Sequence, residues 1–316
     1  MRSDYKTLIS YNNIIEKYTL PKEFYSQSEY DKNSDTNSDI LKINHSAGFF
    51  SCCTIKLEEI LKYFNTYKKL PSKIDGTSLF DMYKQVNNES DITNIFFTQK
   101  DYNINYNSDI KTTSSDSEQQ FSNYKLLNHT QLNPFIKKYF TISQKIQNNV
   151  EYLEKKYNLN YNNLCSIYYR GLGKSVETNS GTYDEYLKKA KEIENKHPNI
   201  IFLLQSDESE FYSYMKKHLK NTIELDSSSV SNNTDTPDYF STLSKNERLP
   251  HAIKFLSVIY ILSKSKYIIT SSGNTGLWIC LFRGNSNGVI QYLSEKEIIY
   301  GVKNKNYKLN KDYWLI

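Results

Sequence analysis

The chain has 316 residues, a length that corresponds to one large domain or two domains of ordinary size. Only 38% of the residues are hydrophobic, but 28 Tyr and 15 Phe provide the apolar surface for a core, which argues against a disordered chain. The net charge of +5 is spread along the sequence and predicts no nucleic-acid partner, and the absence of glycine-rich phosphate-binding motifs disfavours Walker-type NTPases and NAD-binding Rossmann domains.

Features that would direct the chain to a membrane or to an oxidising compartment are missing. The first ten residues lack the apolar stretch of a signal peptide. The most apolar run, residues 255–262, falls far short of the roughly 20 residues that a membrane-spanning helix needs. We therefore expect a cytoplasmic protein with no membrane span, whose four scattered cysteines are reduced and form no disulfide framework.

The N-terminal part alternates polar tracts with apolar segments. Residues 26–39, 111–120 and 226–238 are rich in Ser, Asn, Asp and Thr, which is typical of loops or linkers. Between the first two tracts, a short apolar segment at 40–43 precedes a predicted helix over 55–67. Apolar residues recur at helical spacing again from 142 to 157, which predicts a helix that bridges two halves of the chain.

The C-terminal part has a regular alternation of strands and helices. Predicted strands cover residues 164–169, 200–204, 222–225 and 267–271, and predicted helices cover 183–196, 208–219, 252–263 and 274–282. This order indicates an α/β fold with a parallel sheet covered on both faces. Ligands of such sheets bind beyond the carboxyl ends of the strands, so the residues that follow each strand are the candidate site.

The first strand-end cluster combines cations with glycines. Arg170, Gly171, Gly173 and Lys174 follow the strand at 164–169, and Glu177 comes soon after. An Arg fork, a Lys charge and glycines that allow close backbone approach would suit a diphosphate. The alternative is a solvated turn in which the glycines supply positive φ.

The second cluster contains one carboxylate. Asp207 follows the strand at 200–204 and directly precedes a predicted helix. It would contact a ribose or a base, as acids after Rossmann-type strands often do. On residue type alone, a helix N-cap is the favoured alternative.

The third cluster connects a strand to a helix. Its N–H groups and hydroxyls at a helix N-terminus suit a phosphate, and they belong to Ser271, Ser272, Gly273, Asn274 and Thr275. The alternative is capping by Ser272 or Asn274, and the two roles are compatible.

Histidines and cysteines supply weaker candidates. His251 would approach a nucleotide base, or else face solvent at a helix start. The adjacent Cys52 and Cys53 lie near His45 and would form a Cys–His nucleophile, although buried filler residues are the favoured interpretation. The five histidines lack metal-binding spacing and no D-x-D triplet occurs, so we expect no metal and no cofactor.

Together these segments resemble the fucosyltransferase-type GT-B glycosyltransferases, and in particular the glycosyltransferase-like proteins of large DNA viruses. The resemblance covers most of residues 44–300 and rests on an N-terminal block and three C-terminal blocks, and the C-terminal blocks fall in the order of the family. The blocks are Gly48 to Cys53 followed by Lys69-Leu70-Pro71, the loop from Arg170 to Lys174, the strand-end acid Asp207, and Thr270 to Asn274 followed by Leu277-Trp278 and Arg283-Gly284-Asn285.

The resemblance implies roles for several residues. Arg170 and Lys174 match the family residues of the diphosphate loop, in which the Arg contacts the donor diphosphate and assists its departure. Asp207 matches the strand-end acid, although Ser206 stands where relatives have another acid. One departure concerns the loop itself, because Gly173 stands where relatives have Asp, and Glu177 is the nearest remaining acid.

The sequence therefore predicts a GT-B-like enzyme of two Rossmann-like domains that face a cleft. Residues 1–140 would form the acceptor-side domain and 141–316 the better formed donor-binding domain. The predicted reaction is an inverting, metal-independent transfer of a sugar, such as fucose from GDP-fucose, to a hydroxyl of a glycan or protein. The alternative is a weak or inactive nucleotide-sugar-binding relative, and the oligomeric state stays open.

Overall fold

A computed structural model describes residues 39–104, 106–111, 119–171, 180–225, 243–293 and 313–316. Across these ranges, no helix combines the length and the hydropathy that a bilayer span requires. The same ranges contain eight α-helices and a six-stranded, mostly parallel sheet. Most of the three predicted polar tracts lies outside the described residues.

The N-terminal part is built from three helices and two small sheets. Strands β1 and β2 pair in parallel, and β3 and β4 pair antiparallel. In chain order the elements are β1 (Ile40–Lys42), α1 (Phe49–Tyr67), β2 (Lys73–Asp75), α2 (Thr93–Phe96), β3 (Phe97–Thr98), α3 (His129–Tyr139) and β4 (Thr141–Ile142).

The C-terminal part contains the main sheet and its helices. In chain order the elements are α4 (Gln144–Lys156), β5 (Leu164–Tyr169), α5 (Tyr183–Lys196), β6 (Ile201–Ser206), α6 (Ser209–His218), β7 (Thr222–Glu224), α7 (Lys245–Ser263), β8 (Tyr267–Ser271), α8 (Asn274–Arg283), β9 (Val289–Leu293) and β10 (Tyr313–Leu315).

The strand order of the main sheet is β10-β9-β8-β5-β6-β7. All neighbours are parallel except β10, which runs antiparallel to β9. The predicted α/β class is therefore confirmed. Since β6 and β8 both flank β5, the carboxyl ends of these three strands meet at one edge of the sheet.

Most predicted elements of the C-terminal part begin and end within two residues of the observed bounds. Two helices, one in each part of the chain, begin earlier than predicted. Helix α1 begins at Phe49 rather than at residue 55, and α7 begins at Lys245 rather than at residue 252. The early start of α7 follows from a capping box, in which Ser244 and Glu247 each hydrogen-bond to the backbone of the other. Strands β9 and β10 of the main sheet, and α2, α3 and β2 to β4 of the N-terminal part, were not predicted.

Two apolar clusters cover the two faces of the sheet. The smaller one contains alternate residues of β5, including Cys165 and Ile167, which pack with residues of α5 and α6 such as Tyr186 and Phe211. The larger one contains Tyr168 and joins α1, α3, α4, α7 and α8 into one continuous core. This core has members on both sides of the predicted boundary at residue 140, and the boundary itself stays a prediction.

Candidate functional site

A cavity of about 380 Å³ lies at the carboxyl ends of β5, β6 and β8. One wall consists of the strand ends and the start of α8, and the other consists of residues 47–51 at the start of α1 together with Met82 and Tyr83. The predicted site residues that line it are Arg170, Asp207, His251, Ser271, Ser272, Gly273, Asn274 and Thr275. The structure therefore brings the three strand-end clusters to one cavity.

Three predicted residues lie outside the described part of the chain. They are Gly173, Lys174 and Glu177, which all fall within residues 172–179. Gly171 is described and adjoins the cavity without being part of its lining.

Asp207 fixes the start of the loop that carries Arg170. Its Oδ1 accepts a hydrogen bond of 3.0 Å from the N–H of Gly171, and its Oδ2 lies 3.8 Å from Nε of Arg170. The side chain of Arg170 is 41% exposed, so an anion in the cavity can reach it. The carboxylate thus holds the cation at the cavity wall by Coulombic attraction and a backbone hydrogen bond.

Gly171 is favoured by the close approach of a neighbouring side chain and does not have a positive φ. A Cβ at this position would lie 2.0 Å from Oε1 of Glu208, and Gly171 is absent from the described residues with left-handed backbone. The carboxylate of Glu208 is in turn bound by the hydroxyl of Tyr183. The alternative in which this glycine serves a positive-φ turn is therefore wrong.

The prediction that Asp207 caps the following helix is also wrong. Helix α6 begins at Ser209 with Glu208 as its N-cap, and the N–H of Glu208 donates to Oγ of Ser206 at 3.0 Å. The carboxylate of Asp207 points instead to Gly171 and Arg170, which leaves it part of the cavity wall.

The N-terminus of α8 faces the cavity without a side-chain cap. Its N-cap is Gly273, at φ 138°, and no described side chain caps the helix. Capping by Ser272 or Asn274 is therefore wrong: Oγ of Ser272 accepts from Gln291, and Oδ1 of Asn274 accepts from Thr54 at 2.8 Å. Asn274, Thr275 and Gly276 of the first turn line the cavity, and the positive end of the helix dipole at this point suits an anion.

Aromatic side chains complete the cavity. His251 and Phe255, both on α7, stack with their ring planes 7° apart, and both line the cavity. The hydroxyl of Tyr168 hydrogen-bonds with Thr275, and burial raises the pKa of Tyr168, so this phenol is neutral at neutral pH. The cavity therefore offers flat apolar surface beside its charged groups.

Gln205 lies in the second strand-end cluster but was not predicted as a site residue. It is only 3% exposed, lines the cavity, and its Oε1 has no hydrogen-bond partner among the described residues. A buried acceptor without a partner is costly unless a ligand supplies a donor. The available signal was an amide following the apolar run Ile201–Leu204 of a buried strand.

The proposed Cys–His pair does not form. Nε2 of His45 lies 3.0 Å from Oγ of Ser51, while Sγ of Cys52 contacts the carbonyl of Ala47. Cys52 and Cys53 are buried in the core, and burial raises the pKa of both thiols. The favoured interpretation of these cysteines as buried filler residues is confirmed.

Comparisons with known proteins leave the family open. No model of a known protein family matches the chain, and no curated protein sequence matches it either. The resemblance to fucosyltransferase-type enzymes therefore stays a prediction, and the geometry of the cavity carries the functional argument.

Proposed function

We propose that the chain is an inverting glycosyltransferase of the GT-B type that uses a nucleotide sugar as donor, such as GDP-fucose. The observation that carries the proposal is the convergence of Arg170, Asp207 and the N-terminus of α8 on one cavity. These groups come from the carboxyl ends of three neighbouring strands, where α/β folds bind nucleotides. The proposed acceptor is a hydroxyl group of a glycan or protein.

The diphosphate would lie between Arg170 and α8. A guanidinium fork and a row of helix N–H groups both favour an anion, and both are held in place before the ligand arrives. As the bond between sugar and diphosphate breaks, negative charge grows on the leaving group at this position. Preorganised donors of this kind each contribute about 100-fold or more to the rate.

The nucleoside would occupy the part of the cavity near α7 and β6. The stacked rings of His251 and Phe255 offer a flat surface for a base, and Gln205 and Asp207 offer acceptors for base N–H or ribose hydroxyl groups. The wall formed by residues 47–51 and Tyr83 would then face the acceptor. This placement assigns residues 1–140 to the acceptor side and 141–316 to the donor side.

A binding protein without turnover is the second candidate. The observation that favours it is Gly173, which stands where the family that the chain resembles has Asp. Such a protein would keep Arg170 and the α8 N-terminus for binding and would lack a group that the reaction needs.

A ligand panel tests the proposal. We expect GDP or UDP and their sugars to raise the melting temperature of the purified chain, because a ligand at about 100 times its Kd stabilises the folded state by roughly 2.7 kcal/mol. Release of free nucleotide from the bound sugar donor, followed by chromatography, then separates the two candidates. Binding without release supports the inactive relative, and no shift with any nucleotide contradicts both.

A further inference from the structure

The α1 wall of the cavity carries a Ser–His pair that the proposed donor site does not use. Ser51 lies in the first turn of α1 and lines the cavity. Its Oγ is 3.0 Å from Nε2 of His45, in the segment between β1 and α1. An imidazole within hydrogen-bond distance of a hydroxyl is the arrangement by which proteins remove a proton from O–H groups.

The hydrogen bond is compatible with proton removal. In the neutral tautomer that carries its proton on Nδ1, Nε2 of His45 accepts from the hydroxyl of Ser51. Burial lowers the pKa of His45, which keeps the imidazole neutral and able to accept a proton at neutral pH.

A second Ser–His pair in the molecule shows the opposite arrangement. Nε2 of His129 lies 3.0 Å from Oγ of Ser286, and burial lowers the pKa of this histidine as well. However, the hydroxyl of Ser286 donates to the carbonyl of Tyr124 at 2.7 Å. Because the Ser286 proton is donated to that carbonyl, Nε2 of His129 must donate to Oγ of Ser286 and cannot remove a proton from it. Neither member lines the 380 Å³ cavity.

We propose that Ser51 and His45 form the proton relay that activates the acceptor hydroxyl, an inference that rests on the proposed function. The acceptor oxygen forms a bond to the anomeric carbon while the bond from that carbon to the diphosphate breaks. The electron pair of the broken bond leaves with the diphosphate, next to Arg170. The acceptor proton passes to Oγ of Ser51 as the Ser51 proton passes to Nε2 of His45, which ends as imidazolium.

The relay places catalysis on both walls of the cavity. Ser51 touches the acceptor, and His45 holds the proton that the reaction releases. The donor wall supplies only binding and stabilisation of the leaving group. Loss of the relay should therefore lower kcat and leave donor binding intact.

Hydrolysis of GDP-fucose tests the relay, because water is the simplest hydroxyl acceptor. If the chain binds another nucleotide sugar of the ligand panel instead, that sugar replaces GDP-fucose in the assay. We expect Ser51→Ala and His45→Gly to lower kcat by at least about 100-fold, since a positioned base contributes about 100-fold to 10,000-fold. The donor KM and the melting-temperature shift with GDP should stay within about twofold. Added imidazole should restore at least about tenfold of the turnover of His45→Gly and none of that of Ser51→Ala.

The second pair provides the matched controls. His129→Gln and Ser286→Ala remove the same groups away from the cavity and should keep the wild-type kcat. Full turnover in Ser51→Ala or His45→Gly, or no rescue by imidazole, overturns the relay alone. A covalent sugar adduct on Ser51, detected by mass spectrometry, also overturns it because Ser51 would then be the nucleophile. A wild-type chain that neither binds nor hydrolyses any nucleotide sugar overturns the proposed function together with the relay.

Discussion

The two edges of the main sheet each carry a cavity, and the two cavities differ in how their polar groups are bound. The amino edge, where β8 and β9 begin, holds a cavity of about 520 Å³, against about 380 Å³ at the carboxyl edge. Two polar residues that line the amino-edge cavity have partners: His197 and the hydroxyl of Tyr267 are 2.7 Å apart, and Ser286 binds both His129 and a carbonyl, although Nδ1 of His129 has no partner among the described residues.

The carboxyl edge differs in what its polar groups lack. Within the described residues, Oε1 of Gln205 has no partner there, and neither α1 nor α8 has a side-chain cap. A buried acceptor without a partner and two helix starts without side-chain caps lie at the same cavity, where a ligand can satisfy them. The carboxyl edge therefore differs from the amino edge in the hydrogen-bond capacity that it offers to a ligand.

The largest expected effect comes from Arg170→Ala. This change removes the guanidinium at the carboxyl edge, so we expect donor turnover to fall by about 100-fold or more while the fold is kept. Arg248→Ala is the matched control, since Arg248 lies on α7 outside the cavity lining. Nucleotide release and circular dichroism measure the two outcomes, and equal activity in the two variants would show that the guanidinium of Arg170 does not serve the carboxyl-edge cavity.

Alanine substitutions at two glycines, one at each edge, should affect the free energy of folding and nucleotide binding to different degrees. Gly288→Ala, at the amino edge, forces a Cβ to 2.5 Å from the carbonyl of Lys266 at φ 72°, and we expect it to cost about 2 kcal/mol or more of folding free energy. Gly171→Ala meets only the end of the Glu208 side chain, which can move, so we expect a cost of about 1 kcal/mol.

We expect the opposite order for nucleotide affinity, with the larger loss in Gly171→Ala. The added Cβ would disturb the backbone of Gly171, whose N–H binds Asp207 beside Arg170, so Gly171→Ala should weaken nucleotide binding, whereas folded Gly288→Ala should bind normally. Urea denaturation and titration with nucleotide measure both quantities. Weakened binding in Gly288→Ala would show that the amino edge takes part in the site.

The smallest expected effect is a change of about 1 kcal/mol in the stability of the ligand-free protein, with opposite signs for substitutions at the two edges. Gln205→Met removes a buried unpaired acceptor, so we expect the ligand-free protein to gain about 1 kcal/mol and the nucleotide to bind more weakly. His197→Phe breaks a satisfied hydrogen bond to Tyr267, so we expect a loss of about 1 kcal/mol with unchanged binding. Melting curves with and without nucleotide test both signs, and a destabilised Gln205→Met that binds normally would assign Gln205 a structural role.

The sequence allowed prediction of the sheet and of the donor wall because both follow from local pattern. Strand β5 is a run of buried residues between a turn and a cluster of cations, and the rule that ligands bind at carboxyl ends selected Arg170, Asp207 and Ser271–Thr275 together. Which group each polar side chain binds was not predictable, since Asp207 and Asn274 find partners distant in sequence and do not cap the helices beside them.

The α1 wall could not be predicted for the same reason. Ser51 lies in the N-terminal block of the resemblance, and His45 was considered as a base for Cys52 and Cys53. Their pairing with each other and the place of Ser51 at the cavity follow only from the fold, in which α1 and α8 share the large core. The roles of Lys174 and Glu177 stay predictions.

The buried hydroxyl of Thr54 links the two helices that border the cavity and so limits how the cavity can open for a substrate. Oγ1 of Thr54 accepts from the indole N–H of Trp278 at 2.9 Å and lies 2.8 Å from Oδ1 of Asn274, so it ties α1 to α8. Swinging the two helices apart like a hinge would leave the indole N–H unsatisfied in an apolar interior, at a cost of roughly 1–3 kcal/mol in addition to the exposed core. Substrate entry should therefore depend on rotations of half-buried side chains that line the cavity, such as Met82 and His251, while α1 and α8 keep their relative positions.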